Sequence, residues 1–249
     1  MDTYNVSHLT DFYKAIENIS KRFGGIHLWY RGHSAEIWDL VPSLYHRSKA
    51  PDENALAVLF RSKAKVRYER CPANNNYPAW LFLMQHYRLP TRLMDWTESP
   101  LVALFFAVEN CALDYRDGCL WVLHPMLLNK YSYGEAVIPA ADNSKIAPLF
   151  REAFIAPDEP NPKIFAVLPF HTDLRHLLQQ SAVTVHGIGT PINQLEHCDD
   201  FIAKIIIPKS AKHSFRKALN LLHISQSTLF PDLENLSVDL VQTNFLDQR

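Results

Sequence analysis

The chain has few cysteines, and those few do not form a recognisable pattern. Cys71, Cys111, Cys119 and Cys198 are the only four among 249 residues. They include no CxxC pair, and their spacing is not that of a zinc site or a disulfide framework. We therefore expect four reduced structural thiols, no metal and a cytoplasmic protein.

The chain also lacks excess charge and long apolar runs. Twenty-five Lys and Arg residues against 26 Asp and Glu residues give a formal net charge of −1. This balance does not favour a nucleic-acid or anionic-membrane partner, although it leaves open the alternative of a local basic groove. Apolar runs such as Leu101 to Val108 are far shorter than the roughly 20 residues that cross a bilayer. The N-terminal residues contain no apolar core of a signal peptide, and we expect no membrane partner.

Several standard site motifs are missing as well. The sequence contains no GxSxG elbow, no Walker loop and no HExxH helix. His186-Gly187-Ile188-Gly189-Thr190 lacks the third glycine of a dinucleotide fingerprint. No reaction is evident from these patterns alone.

What is present is enough apolar sequence for a large core, at 47% of residues. Apolar residues spaced about 3.6 apart predict helices over 5–23, 53–68, 79–86, 101–113, 210–222 and 236–245. Apolar and β-branched runs predict strands over 26–31, 118–124, 163–167, 182–186 and 201–207. Since the two types do not alternate regularly, we expect a single α+β domain with a mixed sheet and packed helices. Its core covers about 25–240, and a proline-rich variable insertion covers about 130–162.

Arg31 stands at the end of the strand predicted over 26–31 and precedes Gly32, so its guanidinium would project where a ligand can approach the backbone. A guanidinium in that place suits a phosphate or carboxylate ligand. The alternative is an internal ion pair with Asp95 or Glu53.

A second polar cluster lies beside the apolar helix predicted over 101–113. His86, Arg92, Asp95 and Trp96 fall within eleven positions, and buried polar groups need specific partners. Asp95 could orient Arg92 or His86, Trp96 could stack on a flat ring, and Thr97 could donate to a ligand. In the alternative, Asp95 and Arg92 form a structural pair, Trp96 fills the core and Thr97 caps a helix. Farther along, Gln179 and Gln180 precede the strand predicted over 182–186, where an amide could bind a ribose hydroxyl or serve the loop backbone.

These residues resemble the FRG domain family, which is named for an aromatic-Arg-Gly motif. The resemblance runs from about Trp29 to Leu240 and is most specific in its central block. It is carried by Tyr30-Arg31-Gly32, residues 37–44 (IWDLVPSL), Gln85-His86-Tyr87, residues 90–97 (PTRLMDWT), residues 102–107 (VALFFA) and residues 229–233 (LFPDL). The family is mainly bacterial and phage-associated, which implies phage defence or a toxin-like effector.

A more distant similarity links these motifs to ADP-ribosyltransferases of the Arg-Ser-Glu type. These enzymes carry three sequence elements in a fixed order along the chain. Tyr30-Arg31-Gly32 is similar to the first element, and Asp95-Trp96-Thr97 with the helix after it resembles the second. Gln179-Gln180 occupies the place of the third, where those enzymes carry an acid. The similarity implies an ADP-ribosyltransferase-like fold with NAD as substrate.

The resemblance implies a role for each candidate residue. Arg31 would hold phosphate or ribose, with Gly32 and Arg92 beside it. Tyr30 or Trp96 would stack on a ring, and Thr97 with Gln180 would bind the ribose or amide. His86 and Asp95 would transfer protons or orient other groups. Two alternatives stay open: a nuclease using His86, Arg31 and Arg92, and a non-catalytic module that senses a nucleotide or a partner. The acceptor, whether protein or nucleic acid, and the oligomeric state are not specified.

Overall fold

The computed structural model describes residues 1–25, 27–46, 52–159, 161–169 and 177–241. Within them, seven strands form one sheet in the order β1-β7-β4-β2-β3-β6-β5. The strands are β1 (Thr3–Asn5), β2 (Trp29–His33), β3 (Leu93–Thr97), β4 (Gly118–Leu123), β5 (Ile164–Val167), β6 (Ser181–His186) and β7 (Ile202–Ile207). β1 runs parallel to β7, and the other neighbouring strands are antiparallel, so the sheet is mixed.

Helices pack on this sheet, which confirms the predicted α+β class. They are α1 (Leu9–Phe23), α2 (Glu53–Ala64), α3 (Tyr77–His86), α4 (Pro100–Val108), α5 (Pro125–Tyr133), α6 (Ala147–Glu152), α7 (Lys212–Leu221), α8 (Gln226–Leu229) and α9 (Leu233–Val241). None of the helices in the described residues is long and apolar enough to span a bilayer. All four cysteines are free thiols.

Two groups of helices cover one face of the sheet. α1, α4 and α7 pack over β2, β4 and β7 in one apolar cluster, whereas α2, α3 and α6 pack over β3, β5 and β6 in another. Side chains alternate along a strand, so every second residue of these strands points away from the helices, to the opposite face of the sheet. On that face Trp29, Trp96 and Trp121 share a third cluster. The two helical groups leave a gap above the middle of the sheet.

The sheet itself is split at the same place. β2 pairs with β3 only through Tyr30 and Thr97, although β2 pairs with β4 along all five of its residues. β3 likewise pairs with β6 from Leu93 to Thr97. The two halves of the sheet therefore separate beyond one residue pair.

Local sequence explains how α4 reaches this split. The Ser99 hydroxyl accepts a hydrogen bond from the Val102 N–H at 3.4 Å, and Pro100 occupies the first turn of the helix. Gly32 of β2 faces α4 so closely that a Cβ there would lie 1.9 Å from the Ala103 carbonyl oxygen. Glycine at position 32 therefore allows α4 to rest directly on β2.

Candidate functional site

A cleft with a volume of about 430 Å³ opens where β2 and β3 separate. Its lining comes from both halves of the sheet, from α4 and the two residues after it, from the segment after β2 and from the segment before β6. The lining residues are Tyr30, Arg31, Gly32, His33, Ser34, Trp38, His46, Asp95, Trp96, Thr97, Phe106, Glu109, Asn110, Gln179 and Ser181. This cleft is the candidate site.

Arg31 bridges the split with its side chain. Its Nη1 donates to the backbone carbonyl of Asp95, and its Nε donates to His33 Nε2 at 3.0 Å. Among the described residues, no carboxylate lies within the 4.0 Å of an ion pair with this guanidinium. Burial lowers the pKa of Arg31, and the charge of Asp95 opposes that shift. The group still carries its charge and keeps further N–H donors for a ligand.

His33 is held neutral beside that cation. Burial, followed by the charge of Arg31, lowers the pKa of His33 to about 3. Nε2 accepts the Arg31 hydrogen bond, so the ring proton lies on Nδ1, 3.3 Å from the Trp38 carbonyl oxygen. His33 therefore orients Arg31 without adding positive charge.

Asp95 separates the cleft from a smaller cavity that opens beside it. Gln85 Nε2 donates to Asp95 Oδ1 at 2.5 Å, and Gln85 Oε1 of the same side-chain amide accepts from the Thr91 hydroxyl at 3.2 Å. His86 lines the smaller cavity, which also includes Asp95, Gln179 and Ser181. Asp95 and His86 thus line the same small cavity, and Gln85 orients the carboxylate of Asp95.

Thr97 and Gln179 connect β3 to the C-terminal part of the chain. The Thr97 hydroxyl donates to the Gln179 carbonyl at 2.6 Å and accepts from the Ser99 N–H at 3.0 Å. Gln179 Nε2 in turn donates to the Leu229 carbonyl at 3.0 Å. Two of the hydrogen-bonding positions of the Thr97 hydroxyl are therefore used by the fold.

Trp96 lies in a buried chain of hydrogen bonds on the opposite face of the sheet. Its indole N–H donates to the Thr184 hydroxyl at 3.1 Å, and that hydroxyl lies 2.9 Å from His186 Nε2. Burial lowers the pKa of His186 to about 3, so this ring is neutral. Trp96 is only 3% exposed, and most of its ring belongs to the core.

Two of the predicted site residues, Arg92 and Gln180, line neither the cleft nor the smaller cavity beside it. Arg92 bonds the Glu53 carboxylate through Nε and Nη2 at 2.9 and 2.7 Å, and Glu152 through Nη1 at 3.1 Å. Its acidic partners are therefore Glu53 and Glu152 rather than Asp95. Gln180 is exposed with φ +46°, and its carbonyl accepts from the Glu98 N–H at 2.9 Å. Gln179 faces the cleft in its place.

Glu109 is a lining residue that sequence reasoning missed. It follows α4 directly, and burial raises its pKa. The signal in the sequence was an acid placed immediately after the apolar run that ends at Val108. Tyr30 was predicted and does line the cleft, where burial raises the pKa of its phenol to about 12 and keeps it protonated.

The structure thus brings together much of the predicted set. Tyr30, Arg31, Gly32, Asp95, Trp96 and Thr97 all line the cleft, and His86 lies in the adjoining cavity. Their roles toward a ligand stay predictions.

A comparison with protein families found a match to one segment of the chain. Residues 26–115 match the FRG domain, and this segment contains β2, β3, α4 and most of the lining of the cleft. Neither the comparison with curated proteins nor the comparison with solved structures found a match. The chain carries an FRG domain.

Proposed function

We propose that the cleft binds a nucleotide and that the chain is an ADP-ribosyltransferase-like effector with NAD as its substrate. The observation that carries the proposal is the guanidinium of Arg31, which lines a central cleft without an acidic partner in the described part of the chain. A partly buried cation of this kind is stabilised by an anionic ligand, and a guanidinium fits a phosphate through two parallel hydrogen bonds.

Aromatic side chains support a ligand that also contains a flat ring. Tyr30, Trp38 and Phe106 line the same cleft, and Trp38 remains 43% exposed. Since aromatic faces stack on nucleobases at little conformational cost, the cleft can accept both parts of a nucleotide.

The reaction belongs to the same proposal. In ADP-ribosyl transfer the bond between ribose C1′ and the nicotinamide nitrogen breaks, and nicotinamide leaves with the bonding electrons. Water or a nucleophile of an acceptor then bonds to C1′ and loses a proton. The carboxylate of Asp95, oriented by Gln85, would offset the positive charge that develops on the ribose. Phage defence or a toxin-like role is the setting that the resemblance implies.

Calorimetry with NAD and an assay of nicotinamide release test this proposal on the whole chain. We expect NAD to bind the wild type and Arg31→Ala to weaken binding by at least about tenfold, since a charged hydrogen bond contributes roughly 1.5–3 kcal/mol. The matched control is Arg61→Ala. Arg61 is also partly buried, donates to the Asn74 carbonyl at 3.2 Å and lies outside the cleft.

The outcomes separate the three functions. Nicotinamide release that is lost in Arg31→Ala but kept in Arg61→Ala supports the transferase. Binding without turnover supports a sensing module, whereas nicking of nucleic acid without NAD supports a nuclease. If NAD does not bind the wild type, or if both arginine variants bind it equally well, the assignment of this cleft is wrong.

A further inference from the structure

One face of α4 and its C-terminal cap line the cleft with an unusual combination of side chains. Phe106 lies in the last turn of α4, Glu109 is its C-cap residue, and Asn110 follows with an extended backbone that begins the next short helix. All three belong to the lining of the cleft. Phe106 is fixed by edge contacts with Phe105 and Phe230, whose ring centroids lie 5.5 and 6.1 Å away. The result is a fixed ring next to two polar groups.

Glu109 does not contribute an evident contact to the fold. In the described ranges its carboxylate makes no hydrogen bond and no ion pair. It caps the C-terminal end of α4, where the helix dipole disfavours negative charge, and it is partly buried. The nearby cation Arg216 bonds the Val108 carbonyl and Asp114 instead. An acid in this position lowers stability, which points to a role toward a ligand.

Asn110 offers the opposite hydrogen-bonding character. Its side-chain oxygen accepts from the Ala112 N–H at 3.1 Å, so this oxygen is already used. Its amide nitrogen makes no hydrogen bond to the residues that the structure describes and can donate. The α4 face therefore presents an acceptor from Glu109 and a donor from Asn110, next to the Phe106 ring.

Adenine has the complementary edge. Its 6-amino group is a donor, and the ring nitrogen on either side of it is an acceptor. We propose that the α4 face is an adenine subsite, in which Glu109 accepts from the amino group and Asn110 donates to the neighbouring nitrogen. This inference rests on the proposed function, because it takes Arg31 to hold the phosphate of the same nucleotide. Among the nucleotides whose phosphate Arg31 could bind, the chain would then prefer those that carry adenine.

Calorimetric titrations with ADP and IDP test this subsite. The two nucleotides differ at the 6-position, where IDP has a carbonyl oxygen that would face the Glu109 carboxylate. We expect wild-type protein to bind ADP at least about tenfold more tightly than IDP. In Glu109→Gln the new amide can donate to that oxygen, so the preference should fall to about threefold or less, or reverse. A thermal melt should show that Glu109→Gln is folded and melts no lower than the wild type.

Glu98→Gln is the matched control, since Glu98 is an exposed acid near the other end of α4 and outside the cleft. It should retain the full preference for ADP. Equal binding of ADP and IDP by wild type, with both lost in Arg31→Ala, would overturn the adenine subsite and leave the nucleotide site intact. Tighter binding of GDP than of ADP would overturn it as well. Failure of the wild type to bind any of these nucleotides would reject the proposed function itself.

Discussion

At the scale of single residues, two arginines near the split in the sheet differ in their surroundings. Arg92 has two carboxylates, Glu53 and Glu152, and a backbone carbonyl from Leu149 as partners. Arg31 has a neutral imidazole and a backbone carbonyl. The first arrangement neutralises a buried charge, and the second leaves it available. Arg92 therefore holds the fold together, whereas Arg31 suits an anionic ligand.

Arg92→Ala should destabilise the protein by about 3–5 kcal/mol, because Glu53 and Glu152 would stay buried without a cation. Urea denaturation measures this loss as a fall in the free energy of unfolding. Arg151→Ala, at an exposed position of α6, is the control and should change that free energy by less than about 0.5 kcal/mol. A loss below about 1 kcal/mol for Arg92→Ala would contradict the structural role.

At the scale of elements, the contact between β2 and α4 explains the glycine of the aromatic-Arg-Gly motif. We predicted that Gly32 would let a ligand approach the backbone. Gly32 does line the cleft, but the closest approach to its backbone is made by α4. The motif therefore combines a packing requirement at Gly32 with a polar group aimed at the cleft at Arg31.

Gly32→Ala should lower the free energy of unfolding by about 3 kcal/mol or more. The added Cβ would lie 1.9 Å from the Ala103 carbonyl oxygen and 2.6 Å from the Ala107 nitrogen. Both are backbone atoms, so α4 as a whole would have to move. The thermal midpoint of Gly32→Ala can be compared with that of Gly25→Ala, where the added Cβ meets the end of the His124 side chain at 3.2 Å. Equal midpoints for the two variants would show that α4 does not require this glycine.

The helices and strands were predicted well where the pattern of apolar residues was local. The helix predicted over 210–222 is α7, and the strand predicted over 201–207 is β7. The helix predicted from residue 5 begins at Leu9 instead, because Thr3–Asn5 form the edge strand β1, which pairs with β7. A three-residue strand that depends on a partner about 200 positions away has no local signal. The predicted helix over 236–245 reaches past the described residues, which end at 241.

At the scale of the whole molecule, the site exists because a sheet is interrupted at its centre. The similarity in motif order placed Tyr30-Arg31-Gly32 near Asp95-Trp96-Thr97, and the single pair of Tyr30 with Thr97 is where they meet. Sequence reasoning did not predict the separation of β2 and β3 beyond that pair, and it chose Gln180 where Gln179 faces the cleft. It also missed Glu109, because an acid at a helix end looks the same whether it faces solvent or a cavity.

Two buried histidines, His33 and His186, make global stability depend on pH. The pKa of His33 and that of His186 are each lowered to about 3, against about 6.5 in an unfolded chain. The unfolded state therefore binds more protons than the folded state between these values, and stability falls as pH decreases from 6.5 toward 3. Each histidine should contribute a slope of up to about 1.4 kcal/mol per pH unit.

Urea denaturation of wild type and His186→Gln between pH 7 and pH 5 checks this prediction. The free energy of unfolding of the variant should fall less steeply with decreasing pH. The difference in slope should correspond to the uptake of about one proton on unfolding. His213→Gln, at an exposed position on α7, serves as control and should keep the wild-type slope. Identical slopes for all three proteins would mean that His186 takes up its proton without unfolding.

The sequence by itself determined the apolar periodicity of the helices and strands, the α+β class and the motifs of the FRG domain. These depend on residues close together in the chain. Only the tertiary structure decided which arginine is neutralised, which glutamine faces the cleft and where Glu109 points. The charge and hydrogen bonding of a buried polar group depend on partners that the fold brings from distant positions, as Glu53 and Glu152 reach Arg92 from 39 and 60 residues away.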